Sequence, residues 1–344
     1  GRLSPIDHPA GRPEGAGAIC SPQVQAWPAA YRRRAKLFII HYSLFTFVLG
    51  VCIKMEPYII ITDSAVDLSA EMAQELDLMI IPLTFTMAGK DYRNYLDERE
   101  MSTKEFYRRI RAGETATTAQ INTMEFTEVF TPVLQSGTDI LYIAFSSGLS
   151  GTYNAACLAA QELREKFPDR KIFVVDSRAA SMGQGLLVYH TVRQKRSGYP
   201  IEEAARWVEE HRDSLCHWFT VDDLNHLKRG GRISSAAALF GTMLGIKPVL
   251  HVDDDGHLIP VEKVRGRRAS LDALLSHMEQ TITTPEEQVI FISHGDSLQD
   301  AQYVAEQCRS RFGVQDVILH EIGPVIGAHS GPGTIALFFL GSRK

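Results

Sequence analysis

The chain has 344 residues, 44% of them hydrophobic and 22% charged. These are the proportions of a soluble globular protein with length enough for two ordinary cores. Its 36 basic and 41 acidic side chains leave a formal charge of -5, which argues against a nucleic-acid surface. The five cysteines are scattered without a C-x-x-C pair, and the 12 histidines lack an H-x-x-x-H spacing. That pattern argues against a disulfide framework and a zinc site, and suits a reducing cytosol.

Residues 1–36 are rich in Gly, Pro, Ala and Arg and show no apolar periodicity. They end in "RRRAK", and the apolar run 37–53, "LFIIHYSLFTFVLGVCI", follows. That run has the length and the basic flank of a short membrane span, while no A-x-A cleavage site follows it. Met55 is the first methionine, and a strand pattern begins just after it. Two readings of residues 1–54 therefore stand: an extension translated from a start set too early, or a membrane anchor.

From Tyr58 onward apolar runs alternate with helical spacings. "YIIIT" is a β-branched run that stops at Asp63-Ser64, "LSAEMAQELD" has helical spacing, and "LMIIPLTFTM" reads as one strand. In "STKEFYRRIRAGE", Ser102 and Glu105 stand at capping-box positions, and Asn122 with Glu125 repeats the signal for a helix to about Gln135. "TATTAQ" between them reads as a polar loop. "DILYIAF", a helix from about Tyr153, and "KIFVVDS" come next, then helical patterns at "LLVYHTVRQKRSG" and "PIEEAARWVEEHRD". Strands spaced by helices predict a mainly parallel sheet over residues 58–214, with ligands beyond the strands' carboxyl ends. "CHWFTV" opens a second α/β domain over 215–344. Its mixed sheet includes a hairpin turning at "DDDGH", and it closes with "QVIFISH", a helix, "VILHEI", a Gly-rich loop and "TIALFFL". The predicted fold class is thus α/β, two domains, with the ligand between them.

Four stretches have the residue types for chemistry. "SSGLSGTY" places Ser150 at a helix start, where unpaired N–H groups and the helix dipole favour an anion. Gly148 and Gly151 there allow close approach. The stretch is neither a Walker loop nor a G-x-S-x-G elbow, because Thr152 replaces the last glycine. Ser150 either caps its helix, worth about 1 kcal/mol, or holds a ligand. Thr115, Thr117 and Thr118 form a second hydroxyl cluster. His329 lies in a loop with Gly327, Gly331 and Gly333, a pattern that fits a structural histidine or a ligand contact. Lys228, Arg229 and Arg232 flank a two-glycine turn, either a solvated knuckle or a docking point for phosphate or an acidic partner. The neighbouring "ISSAAALFGTMLGI" is core or one wall of an apolar tunnel.

Taken in order, "TDSAVDL", "SSGLSGTYNAA", "VVDSRAASMGQG", "DLNHLKRGGRIS", "GIKPVL" and "GPVIGAHSGPGT" resemble the DegV family of fatty-acid-binding proteins from Tyr58 to Lys344. The resemblance implies a two-domain lipid binder without catalysis, metal or cofactor, located in the cytoplasm. Its ligand would be a long-chain fatty acid, with Thr118, Ser150, Gly151 and His329 at the carboxylate. It also implies a partner, the catalytic subunit of a fatty acid kinase, which phosphorylates the presented acid to an acyl phosphate. Lys228, Arg229 and Arg232 would be the docking and phosphate-handling surface. Peripheral membrane contact would serve lipid exchange. This chain has Ala116 and Ala119 where the family often has Pro and Ser.

Elementary energetics agree with that implication. About fifteen buried methylenes give on the order of 12 kcal/mol gross, whereas a carboxylate buried without partners is strongly destabilised. Hydroxyls, amide N–H groups and a histidine able to take a proton can hold one such charge without shielding it as a lysine would. A rival reading makes Ser150 the nucleophile and His329 the base of an ester hydrolase. A third makes 37–53 the anchor of an extracytoplasmic lipid receptor.

Overall fold

The computed structural model describes residues 57–233 and 245–342. The apolar run 37–53, and nearly all of the stretch expected to be core or tunnel wall, lie outside them. Strands β1 (Tyr58–Asp63), β2 (Met79–Ile81), β6 (Asp139–Ala144) and β7 (Ile172–Asp176) form a parallel sheet in the order β2-β1-β6-β7. Between them in sequence, β3 (Thr84–Met87), β4 (Lys90–Arg93) and β5 (Ala116–Ala119) form a small antiparallel sheet, order β4-β3-β5. From Leu215 the chain builds a six-stranded mixed sheet. It contains β8 (Leu215–Thr220), β9 (Ile246–Val252), β10 (Leu258–Arg265), β11 (Val289–His294), β12 (Asp316–Glu321) and β13 (Ile335–Leu340). The order is β10-β9-β8-β13-β11-β12, and its β11–β12 pair is parallel. A parallel sheet followed by a mixed one, each with helices, is the α/β class that the alternating pattern predicts.

The helices are α1 (Ala70–Glu75), α2 (Thr103–Arg111), α3 (Thr123–Gln135), α4 (Thr152–Lys166), α5 (Met182–Arg196), α6 (Ile201–His211), α7 (Asn225–Arg229), α8 (Arg267–Thr281), α9 (Leu298–Phe312) and α10 (Pro324–Ser330). Side-chain alternation along β1 sends Ile60 and Ile61 into different cores. Ile61 packs with Phe126 and Phe130 of α3 and Ala156 and Ala159 of α4. Ile60 shares a core with Leu186 and Leu187 of α5 and with Phe291 and Phe338 of the mixed sheet. Helix α5 packs on both sheets, and its first turn is buried at Gly183, Gln184 and Gly185. Gly183 leaves room for the Phe338 ring, since a Cβ there would stand 2.8 Å from it. The far face of the mixed sheet packs under α8 and α9 through Trp218, Ile290 and Leu337. No helix among the described residues is long and apolar enough to cross a membrane.

Four local expectations need correction. "LMIIPLTFTM" is two strands in two sheets, because Pro82 has no N–H for a ladder and the chain leaves the parallel sheet there. The "TATTAQ" loop is the edge strand β5. The Gly-rich loop contains α10, with Pro324 at its start. At Ser102 the hydroxyl does accept the Glu105 N–H, but the Glu105 carboxylate turns to Arg108. Asn122 and Glu125 complete both halves of their capping box. The β9–β10 hairpin forms as expected, with Gly256 at φ 82° in its turn.

Candidate functional site

The turn after β6 is held by acidic residues at the ends of its neighbouring strands. Asp63 accepts the Phe145 N–H at 3.1 Å and the Tyr142 hydroxyl at 2.7 Å. Asp176 accepts the Ser147 N–H at 3.1 Å and its hydroxyl at 2.6 Å. The polar tails of β1, β6 and β7 thus meet at one sheet edge, as the parallel arrangement requires. Within this turn Ser150 Oγ accepts the Thr152 N–H at 3.2 Å and lies 2.9 Å from Thr152 Oγ1. Ser150 therefore bonds the first N–H of α4, whose N-cap position is Gly151, and also borders a cavity.

That cavity has a volume of about 440 Å³, within the range of small-molecule sites. Its walls are mostly apolar, among them Leu83, Phe145, Phe219, Ile326 and Phe338, and come from β5, the mixed sheet, the turns after β2, β6 and β7, and α10. Thr118, Ser150, Gly151, Arg232 and His329 line it as well. β5 presents Thr118 and the last turn of α10 presents His329, with Thr118 Oγ1 hydrogen-bonded to His329 Nε2 at 2.7 Å. The other imidazole nitrogen, Nδ1, is buried with no hydrogen-bond partner among the described residues and lies against Gly230.

Lys228 and Arg229 are exposed. Arg232, expected beside them at the docking surface, turns inward: its Nε donates to the Leu149 carbonyl at 3.1 Å and another nitrogen to the Gly230 carbonyl. Burial lowers the guanidinium pKa from its ordinary value, yet a group that basic stays charged. The polar cluster is therefore not built of neutral donors alone. His329 also differs from expectation. Burial, and then the charge of Arg232, bring its pKa down to about 4, so at neutral pH the ring is uncharged.

Sequence reading missed Ser181, Gln120 and Ser330 on the cavity wall. Ser181 stands at φ 54° at the start of α5, an unusual backbone for a serine. Its stretch "VVDSRAASMGQG" was conspicuous, but nothing in it singled out that hydroxyl. The geometry gives the hydrolase alternative no support. Ser150 Oγ is engaged with Thr152, and the nitrogens of His329 face Thr118 and Gly230, so the serine–imidazole bond is absent. Among the described residues no group of His, Cys, Asp or Glu could hold a metal.

Fold and site together define an α/β protein whose mainly apolar cavity carries one hydroxyl, imidazole and guanidinium cluster. Comparison with known proteins gives the family. The family described as "Uncharacterised protein, DegV family" matches residues 58–342, and the chain belongs to it. A DegV domain-containing protein of Clostridium perfringens is 47% identical over 290 residues, covering 84% of this chain and 99% of its own. One from Lactococcus lactis is 39% identical, covering 83% and 98%. Among solved structures, a DegV family protein of Thermus thermophilus described for fatty acid binding is 28% identical. It has a TM-score of 0.75 and covers 83% of this chain and 99% of its own. DegV of Bacillus subtilis, described as a fatty acid binding protein, is 26% identical with a TM-score of 0.73, covering 84% and 100%.

Proposed function

We propose that this protein binds a long-chain fatty acid between two lobes, residues 58–214 and 215–344. The acyl chain occupies the apolar cavity, and the carboxylate lies among Thr118, Ser150, Gly151, His329 and Arg232. The observation that carries this is the Thr118–His329 pair, 2.7 Å apart on the wall of a cavity otherwise made largely of Leu, Ile, Val and Phe. An apolar cavity with one convergent polar cluster fits an amphiphile with a single polar end. The description of several structural relatives as fatty-acid-binding proteins supports the same class of ligand.

Titration of the purified protein with palmitic acid tests the reading. The double variant Thr118→Ala with Ser150→Ala should lose roughly tenfold or more in affinity, at about 1 kcal/mol per lost hydrogen bond, while unfolding cooperatively like the parent. Unchanged affinity would remove both residues from the site.

The bound acid is presented to a kinase subunit, which transfers the γ-phosphoryl group of ATP to a carboxylate oxygen, forming the acyl phosphate and releasing ADP. The exposed pair Lys228 and Arg229, next to the turn that brings Arg232 to the cavity, supports this step. Arg229→Ala should keep palmitate affinity and slow acyl-phosphate formation by the kinase subunit at least severalfold, given the usual loss from a desolvated charged contact. Equal turnover of variant and parent would remove Arg229 from the docking surface.

A further inference from the structure

The tip of the β9–β10 hairpin crosses from the mixed sheet and lands on the turn that carries Ser150. Ser146, fully buried, donates its hydroxyl to the Gly256 carbonyl at 2.9 Å and accepts the Gly148 N–H at 3.2 Å. The two backbones touch because the residues between them are small. A Cβ at Gly148 would stand 2.7 Å from the Asp255 carbonyl oxygen. One at Gly256 would stand 2.2 Å from Ser146 Oγ, and φ 82° there already favours glycine. Asp253 shapes the tip, its Oδ1 accepting the Asp255 and His257 N–H groups at 3.0 and 2.8 Å. On either side of the tip, Val252 and Leu258 line the cavity.

The hairpin is thus both a cavity wall and a support for the turn at the polar cluster. Its outer strand β10 lies at the sheet edge, paired to β9, and the tip is seated by Leu258 against two cores and by the contact of Gly256 with Ser146. The turn has fixed anchors of its own at Asp63 and Asp176, but these hold Phe145 and Ser147. Residues 148–151 lie beyond them and hang on Ser146, whose carbonyl accepts the Leu149 and Ser150 N–H groups at 3.1 Å, and on Arg232, which donates to the Leu149 carbonyl. From this geometry we infer that Ser146 is a positioning residue for carboxylate recognition: clasped to Gly256, it sets the orientation in which the turn offers Ser150 and Gly151 to the ligand. The inference rests on the fatty-acid reading above and adds the hairpin tip to that site.

The test compares palmitic acid with hexadecanol, which has the same tail and no carboxylate, and adds hydrogen–deuterium exchange on the ligand-free protein. Ser146→Ala should weaken the acid about tenfold for the loss of the hydroxyl's two bonds and leave the alcohol within about twofold. Exchange should rise together in residues 146–151 and 253–258. Gly256→Ala, which wedges the same contact from the other side, should reproduce both effects. A merely structural Ser146 would weaken both ligands alike or neither, and an unchanged acid-to-alcohol ratio in both variants overturns the inference. So does exchange that rises in the hairpin and not in the turn. A parent protein that binds neither ligand, with the exchange coupling intact, would instead overturn the fatty-acid reading.

Discussion

Gly230 has an ordinary helical φ of -71°, so its missing side chain answers to space and not to backbone angle. A Cβ there would stand 2.1 Å from His329 Nδ1 and 3.0 Å from the adjacent ring carbon. The ring is held on its other side by Thr118, so it cannot retreat and keep that bond. Gly230→Ala should therefore break the Thr118–His329 pair and cost roughly tenfold in palmitate affinity, about one hydrogen bond's worth. The crowding itself would take about 1–3 kcal/mol from stability. A double-mutant cycle with His329→Ala checks the route: the two losses should overlap strongly, since both act on the same ring. Full additivity would show that Gly230 acts elsewhere.

Elements differed in how well the sequence announced them, for physical reasons. β1, β6 and β7 are apolar, β-branched runs stopped by Asp or Ser, and α3 has both halves of its cap within four residues; such local signals are visible in one dimension. β5 has none. Its four residues, Ala-Thr-Thr-Ala, are strand only because β3, some thirty residues earlier, pairs with them, and that pairing is tertiary. α10 contains Gly327 in its middle, against propensity. A side chain there would meet the Tyr107 hydroxyl at 2.7 Å and the Phe106 ring at 2.9 Å, so packing on α2 overrides the local cost. The site divides similarly. Ser150 and His329 are each ambiguous alone and gain a role through the order of the family motifs, while Thr118, outside those motifs, gains one only as what the resemblance implies. Nothing in "KRGGR" told which cation faces in. That depended on the Leu149 carbonyl waiting 83 positions upstream for Arg232.

For the molecule as a whole, Asp67 is a knot between distant parts. It follows β1, accepts the Ser181 hydroxyl at the head of α5 at 2.5 Å, and accepts the Gly323 N–H before α10 at 2.9 Å. Ser181 lies 2.9 Å from Ser293 Oγ on β11, so both sheets converge on one buried carboxyl. Burial pushes its pKa up to about 8. The Ser181 and Gly323 bonds oppose that rise, and the charge of Asp63 adds to it. In the unfolded chain the same group titrates near 3.9. The folded state therefore holds the proton through the window from about pH 4 to 8 while the unfolded state releases it, and stability falls as pH rises across that window. His329 and His294, both lowered to about 4 by burial, and His190, lowered to about 3, act in the opposite sense below about 6.5, while burial raises Asp63 and Glu321 as it raises Asp67. These groups are common to the parent and an Asp67→Asn variant, so the difference between the two proteins from pH 6.5 to 8 reads Asp67. There, Asp67→Asn should gain on the parent protein by on the order of 1 kcal/mol per pH unit, read from urea unfolding midpoints of both proteins. A difference that stays constant across the interval would mean that Asp67 is ionised in the folded molecule, with its two hydrogen bonds outweighing the cost of its burial.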